Sequence, residues 1–388
     1  MIRVGFVLET DGWMGGINYY RNLFSALKLL SSPTIQPVIF VGTHVSDDVL
    51  GNFRDAEIVR SPLLDTHTLS GTLRRLLNKV TSRQDILLKQ LLVRHDIKVL
   101  SHLGRFFNVG SIKTIGWITD FQHLHLPQFF SEKERKQRDT DFRAIAQYCD
   151  CVLLSSESAK NDLANFALAA LPRAKVLQFV PEIDSMLEFT SIQELESKYG
   201  VTRPFFYVPN QFWIHKNHSV VIDALAHLQA QGIQATVLST GSTKDYRHPD
   251  HFEKLMTRIS ELGLHNSFKA LGLVPYKDLL SLMHYSLAII NPSFFEGWSS
   301  TVEEAKALGK TILLSNLPVH KEQNPAGGIF FDPKNSQELA EKMHLILTSI
   351  GNVSDIDDLN LKIADSYIAA RLSFGEKYQH IVESSMGK

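Results

Sequence analysis

The sequence predicts an α/β protein made of two doubly wound parallel-sheet domains. Three observations predict it. Short apolar runs alternate with helical segments from Arg3 to Ser315, the pattern of a parallel sheet with crossover helices. A length of 388 residues suffices for two domains of ordinary size. A polar stretch without strong apolar period, Pro181 to Pro204, divides the alternation in two. The expected division is a first domain over 1–180, a linker over 181–203, a second domain over 204–365 and a C-terminal helix over 366–388.

Composition bounds the function. Hydrophobic residues make up 44% and charged residues 21%, as in a globular protein. A net charge of −1 argues against nucleic acid as a partner. Cys149 and Cys151 stand two apart with no metal spacing around them and read as buried thiols of a reducing cytosol. No run approaches the roughly 18 apolar residues of a membrane span. The start MIRVGFVLET reads as a strand rather than a signal peptide.

In chain order, Arg3–Leu8 is the first strand, and the turn Glu9–Gly16 leads into a helix through Leu30. The turn is not G-x-G-x-x-G, which argues against a nicotinamide cofactor. Gly15 and Gly16 lack Cβ and permit close backbone approach to a ligand. Val38–Val41, Ala56–Val59 and Val99–Ser101 continue the sheet. Residues 71–98 read as helical and basic, with Leu73, Leu76, Leu77 and Val80 on one stripe beside Arg74, Arg75, Lys79 and Arg83. Such a face suits solvent or an anionic lipid surface. Lys113–Trp117 ends in Thr119–His123, a loop at the strand's carboxyl end, where doubly wound folds carry function, with His123 and His125 as candidates. Glu132–Tyr148 is a helix, Cys151–Ser155 a strand followed by a serine cap, and Ala174–Phe179 closes the first domain.

After a small helix over Ile192–Tyr199, the second domain opens with the strand Phe205–Val208 and the loop Pro209–His218. Lys216 in that loop stands just before a helix, where a lysine repels the dipole unless an anion is bound. Thr236–Ser239 precedes a glycine turn at Gly241, and Phe268–Leu271 precedes Gly272-Leu273-Val274-Pro275, with Pro275 expected as the first helical residue. Ser286–Ile290 is a buried strand, and Asn291–Gly309 then forms loop and helix. Ser300 is the expected N-cap, Glu303 its capping-box partner and Gly309 the C-terminal stop. A helix start of this kind binds phosphate. Glu296 and Glu304 bracket it, and carboxylates there suit sugar or ribose hydroxyls. Thr311–Ser315 follows, its loop holding His320 and Glu322. A helix over Ser336–Ile350 and two more over Ile356–Ser385 complete the chain.

Glu296 and Glu304, with seven residues between them and Gly297 after the first, resemble the E-x7-E signature of group 1 (family 4) retaining glycosyltransferases. The resemblance runs from Val4 to the C-terminal helix. It implies the GT-B fold: two Rossmann-like domains facing across a cleft, acceptor on the first, donor on the second, the last helix crossing back. It implies transfer of a hexosyl or deoxyhexosyl group from a nucleotide-sugar to a glycan or lipid-linked saccharide, as in polysaccharide biosynthesis. Configuration would be retained by front-face attack, with no metal and no cofactor. Carried over by position, Lys216 would hold the diphosphate, Glu296 the donor sugar's hydroxyls, and His123 the sugar. Gly15 and Gly16 would offer amides to the donor phosphates or the acceptor. Gly241 would floor the cleft, and the backbone of Leu273 and Val274 would read the base. Gly297, Trp298, Ser299, Ser300 and Thr301 would line the sugar and diphosphate, and Glu304 would hold the ribose. One departure stands out: the family's arginine position is Gln211, leaving His215, Lys244 or Arg247 to supply the charge. The expected location is cytoplasmic, with peripheral contact at the inner membrane face left open.

Competing chemistries find less support. The Asp-x-Asp pairs Asp139/Asp141 and Asp355/Asp357 lie in polar helical surroundings. No zinc cluster and no G-x-S-x-G elbow occur. A nucleotide-sugar epimerase or hydrolase, and a catalytically silent nucleotide-sugar-binding subunit, remain the alternatives.

Overall fold

The computed structural model describes residues 1–8, 14–53, 56–65, 68–80, 84–183, 188–349 and 365–387. The apolar runs form two all-parallel sheets. The first contains β1 (Ile2–Val7), β2 (Ile35–Val41), β3 (Glu57–Arg60), β4 (Val99–Leu103), β5 (Lys113–Ile118), β6 (Cys151–Leu154) and β7 (Ala174–Val176), in the order β3-β2-β1-β4-β5-β6-β7. The second contains β8 (Phe206–Val208), β9 (Val237–Thr240), β10 (Phe268–Gly272), β11 (Ile289–Asn291), β12 (Ile312–Ser315) and β13 (Gly328–Phe331), in the order β10-β9-β8-β11-β12-β13. Central strands such as β8 and β12 are buried on both faces, hence the unbroken apolar runs. Strand order reverses between β1 and β4 and between β8 and β11, and the crevice at such a switch point is where doubly wound sheets bind ligands.

The structure adds β13, which the sequence reading passed over. Gly-Ile-Phe-Phe is a short edge run bounded by Gly327 and Pro333, and it pairs with β12 from Ile312↔Gly328 to Ser315↔Phe331. Residues 71–98 are two helices, Leu69–Val80 and Ile86–Arg94. Asp85 starts the second by accepting from the Leu88 amide at 3.0 Å, while its other oxygen takes Arg74 and Asn78. Leu73 and Leu76 are about half exposed, and Arg83 lies outside the described residues. Among those described, no helix is long and apolar enough to cross a membrane.

The chain divides into two compact units: residues 1–121, 131–182 and 369–388, and residues 122–130 and 183–368. In the first, the helix Asp365–Ser385 lies on the helix Met14–Lys28, so closely that a Cβ on Gly375 would come within 2.7 Å of the Ala26 carbonyl oxygen. Tyr378 donates to Ser101 Oγ at 2.8 Å. In the second unit, residues 188–203, part of the stretch 181–203 read from sequence as a linker, pack onto the fold itself. Thr190, Lys198 and Tyr199 place three donors on the buried carboxylate of Asp278, at 2.7, 2.6 and 2.5 Å. Residues 122–130 join this unit through aromatic contacts: Phe129 to His248 and His125 to Phe295, at ring distances of 5.8 and 5.1 Å.

Candidate functional site

In the second unit, the loops after β8 and β11 meet at the switch point. The Phe294 amide donates to the His215 carbonyl at 2.8 Å. Asn217, in the left-handed conformation at φ 55° that asparagine tolerates, donates its side-chain amide to the carbonyls of Pro292 and Pro333. These bonds bring together the two charged residues singled out by sequence. Lys216 Nζ lies 2.6 Å from Glu296 Oε1, with side chains only 19% and 9% exposed. The same oxygen accepts from Ser293 Oγ at 2.6 Å, and Ser293 Oγ is 2.9 Å from Asn291 Oδ1. Glu296 is thus held through its Oε1 by two donors.

The helix that follows runs Ser300–Ala307, with Ser299 rather than Ser300 at the N-cap. The expected capping box does not form. Ser299 Oγ instead accepts from Asn291 Nδ2 at 2.8 Å, and Glu303 is buried against Gln323 Nε2 at 2.9 Å and Lys306 Nζ at 3.1 Å. Burial raises the Glu303 carboxyl's pKa, with Lys306 and Gln323 opposing. Gln323 also bridges the Ser299 amide and carbonyl at 3.3 and 2.9 Å, doing the cap's work from another segment. Amides at Ser300, Thr301 and Val302 stand in the first turn, ahead of the first intrahelical bond from Glu303 to Ser299. The helix ends as expected. Gly309, at φ 61°, donates to Lys306, and Lys310 donates to Ala305, the two bonds of a Schellman motif. Glu304 is 8% exposed and accepts from the Tyr276 hydroxyl at 2.9 Å.

Gly241, Leu273 and Val274 lie in the same unit. Gly241, at φ 138°, abuts the β8 loop: a Cβ there would lie 2.6 Å from Gln211 Cα and 2.7 Å from the Asn210 carbonyl oxygen. Only glycine allows that approach. Gln211 is exposed at the loop's start. The Gly241 amide donates to Gly272 O at 2.8 Å, linking this turn to the one bearing Leu273, which is 77% exposed, and Val274. The next helix starts at Tyr276, so Pro275 occupies the N-cap rather than the first helical position. Gly297 and Trp298 are half-buried, while Ser299 and Thr301 are buried and Ser300 is exposed. His123 is buried, its ring 6.3 Å from that of Phe130 in the 122–130 segment. Gly15 and Gly16 belong to the first unit and sit in the first turn of the helix Met14–Lys28. The turn residues 9–13 before them lie outside the described residues.

Sequence reading missed four supporting groups: Ser293, Gln323, Tyr276 and Asp245. The buried Asp245 carboxylate accepts from the Ile214 amide at 3.1 Å and the Arg247 amide at 3.0 Å, tying the β9 loop to the β8 loop. His320 is buried and its Nδ1–H donates to Ser315 O at 2.8 Å; burial lowers its pKa, and Glu296 opposes that shift. Among the described residues no group of three or more His, Cys, Asp or Glu side chains is arranged to hold a metal ion.

Residues 191–355, spanning both loops and the bracketing acids, match the family model of group 1 glycosyl transferases. The chain is also 25% identical over 230 residues to the serotype-specific mannosyltransferase WbdA of Escherichia coli. That match covers 56% of this chain and 28% of the relative, so this chain corresponds to well under half of the curated protein. Solved structures align end to end. Anabaena HepE in complex with UDP and glucose is 18% identical over 99% of each chain, with a TM-score of 0.67. The Rickettsia africae ESF-5 glycosyltransferase is 16% identical over 99% of this chain and 96% of its own, also at 0.67. Likeness at this level shows the fold, which is GT-B.

Proposed function

We propose that this chain transfers a sugar from a nucleotide-sugar donor to an acceptor hydroxyl, with retention of configuration and without a divalent metal. The observation that carries the reading is the Lys216–Glu296 pair at the start of the helix Ser300–Ala307, with Glu304 one turn further on. In the reaction the acceptor oxygen bonds to the anomeric carbon, the bond from that carbon to the phosphate oxygen breaks, and the acceptor proton passes to the leaving phosphate. Negative charge grows on the departing diphosphate. Lys216 and the first-turn amides are fixed donors for it, in place before the reaction begins. Glu296 binds the donor sugar's hydroxyls, Glu304 the ribose, and His123 the sugar.

A nucleotide-sugar donor is supported by the solved HepE complexes with UDP and UDP-glucose, and a saccharide acceptor by the mannosyltransferase relatives. The reading is tested by incubating the protein with UDP-glucose or GDP-mannose, a saccharide acceptor panel and EDTA, with the product's anomeric coupling read by NMR. The expected product is a glycoside of the donor's own anomeric configuration. An inverted product, or turnover abolished by EDTA and restored by Mg²⁺ or Mn²⁺, contradicts the mechanism. Free sugar at the same rate without acceptor points instead to a hydrolase.

A further inference from the structure

Lys216 brings one positive charge to the donor site, and Glu296 already opposes it at 2.6 Å. A nucleoside diphosphate carries at least two negative charges, and Gln211 in the same loop carries none. Two more cations stand in the β9 loop, and the structure treats them differently. The Lys244 side chain is exposed, and only its backbone amide is held, by Ser242 Oγ at 3.2 Å. Arg247 is held from several sides. Its guanidinium carbon lies 4.1 Å from the Phe130 ring, 4.9 Å from Tyr246 and 5.3 Å from Trp213. Its amide binds Asp245, whose other oxygen holds the amide of Ile214, two residues before Lys216. The His215 ring lies 5.8 Å from Trp213, the same ring that Arg247 faces. Burial, then Lys216, then Arg247 push its pKa well below the ordinary value, so both charges act on this one neutral ring.

The geometry points to Arg247 as the second cation of the diphosphate site, supplied by the β9 loop in place of an arginine at position 211. This rests on the nucleotide-sugar reading above. A planar guanidinium can lay its face on aromatic rings and still fork its N–H edges toward a phosphate, which an ammonium cannot do. Stacking also spends in advance the side-chain entropy that an exposed Lys244 would lose on binding.

The test is calorimetric titration of UDP, UMP, GDP and GMP into wild type, Arg247→Gln, Arg247→Lys and Lys244→Gln. For wild type, one diphosphate binds more tightly than its monophosphate. Arg247→Gln should weaken that diphosphate about tenfold or more, as expected for a hydrogen bond to a charged group, and leave the monophosphate within about threefold. Arg247→Lys should recover part of the loss, and Lys244→Gln should leave both ligands within about twofold. Should Arg247→Gln not fold, a selective loss of diphosphate affinity in Arg247→Lys decides the same point. Diphosphate binding unchanged in both Arg247 variants, or equal loss of diphosphate and monophosphate, overturns the assignment and leaves the donor reading intact. A wild type that prefers no diphosphate overturns the donor reading and this inference together.

Discussion

The carboxyl ends of the two sheets share a topology and differ in chemistry. At the switch point of the first sheet, His102 follows Ser101 on β4 in the left-handed conformation, φ 58°, and is buried. Its Nδ1 lies 2.8 Å from Ser101 Oγ and its Nε2 2.9 Å from the Tyr19 hydroxyl, with Phe6, Tyr20, Trp117 and Tyr378 rings around it. Burial pulls its pKa down to about 3, so this ring is neutral and set among aromatic side chains. The second sheet's switch point holds the Lys216–Glu296 pair, Glu304 and a helix start. The first switch point thus buries a neutral ring, and the second an ion pair beside a helix start.

Lys216→Ala should give the largest effect. Losing a fixed cation opposite developing charge is expected to lower kcat/KM by about 10²–10³-fold, or roughly 3–4 kcal/mol. Steady-state rates with the donor that the panel selects measure it, and a loss below threefold would remove Lys216 from the mechanism. Gly241→Ala comes next, because its new Cβ would press on backbone at Asn210 and Gln211. A destabilisation of about 1–3 kcal/mol and weaker nucleotide binding are expected, read by denaturant melts and titration. Wild-type behaviour of that variant would mean the β8 and β9 loops are not held in register by this contact.

The first unit is probed by pH. His102 has a folded pKa near 3 and an ordinary unfolded value of 6.5. Between these values the unfolded chain takes up the proton and the folded chain does not. Its contribution to stability is therefore complete above pH 6.5 and lost as pH falls from 6.5 toward 3, at up to about 1.4 kcal/mol per pH unit. His218 in the second unit, buried and likewise pulled down to about 3, adds the same sign. His102→Gln should flatten the acid limb of a stability–pH curve, and an unchanged slope would show that the ring is not held neutral. Tyr276→Phe should be smallest: one hydrogen bond to Glu304 lost, about 0.5–1.5 kcal/mol of nucleotide affinity.

Much of this was legible in the sequence because buried parallel strands leave unbroken apolar runs, as at Phe205–Val208 and Ile312–Ser315. Lys216, Glu296 and Glu304 were singled out in the sequence by their places around a helix start, and the fold sets Lys216 2.6 Å from Glu296. The capping box was misread. Ser-x-x-Glu has the right spacing, but Gln323 occupies the position from a segment that sequence distance cannot bring near. Edge strand β13 was missed because its run is short and glycine-bounded. Asp245 gave no local signal, and Arg247 could not be chosen over His215 and Lys244: their contacts depend on loops that meet only in the folded unit, and on Phe130, more than a hundred residues earlier in the chain.

The central claim, that the second unit holds a diphosphate by fixed donors of its own, is tested most directly by calorimetric titration of UDP and GDP in excess EDTA, using wild type and Lys216→Gln. The account predicts metal-independent binding of one of the two by wild type, weakened at least about tenfold in the variant. Binding that requires added Mg²⁺, or equal affinity in wild type and variant, would contradict it.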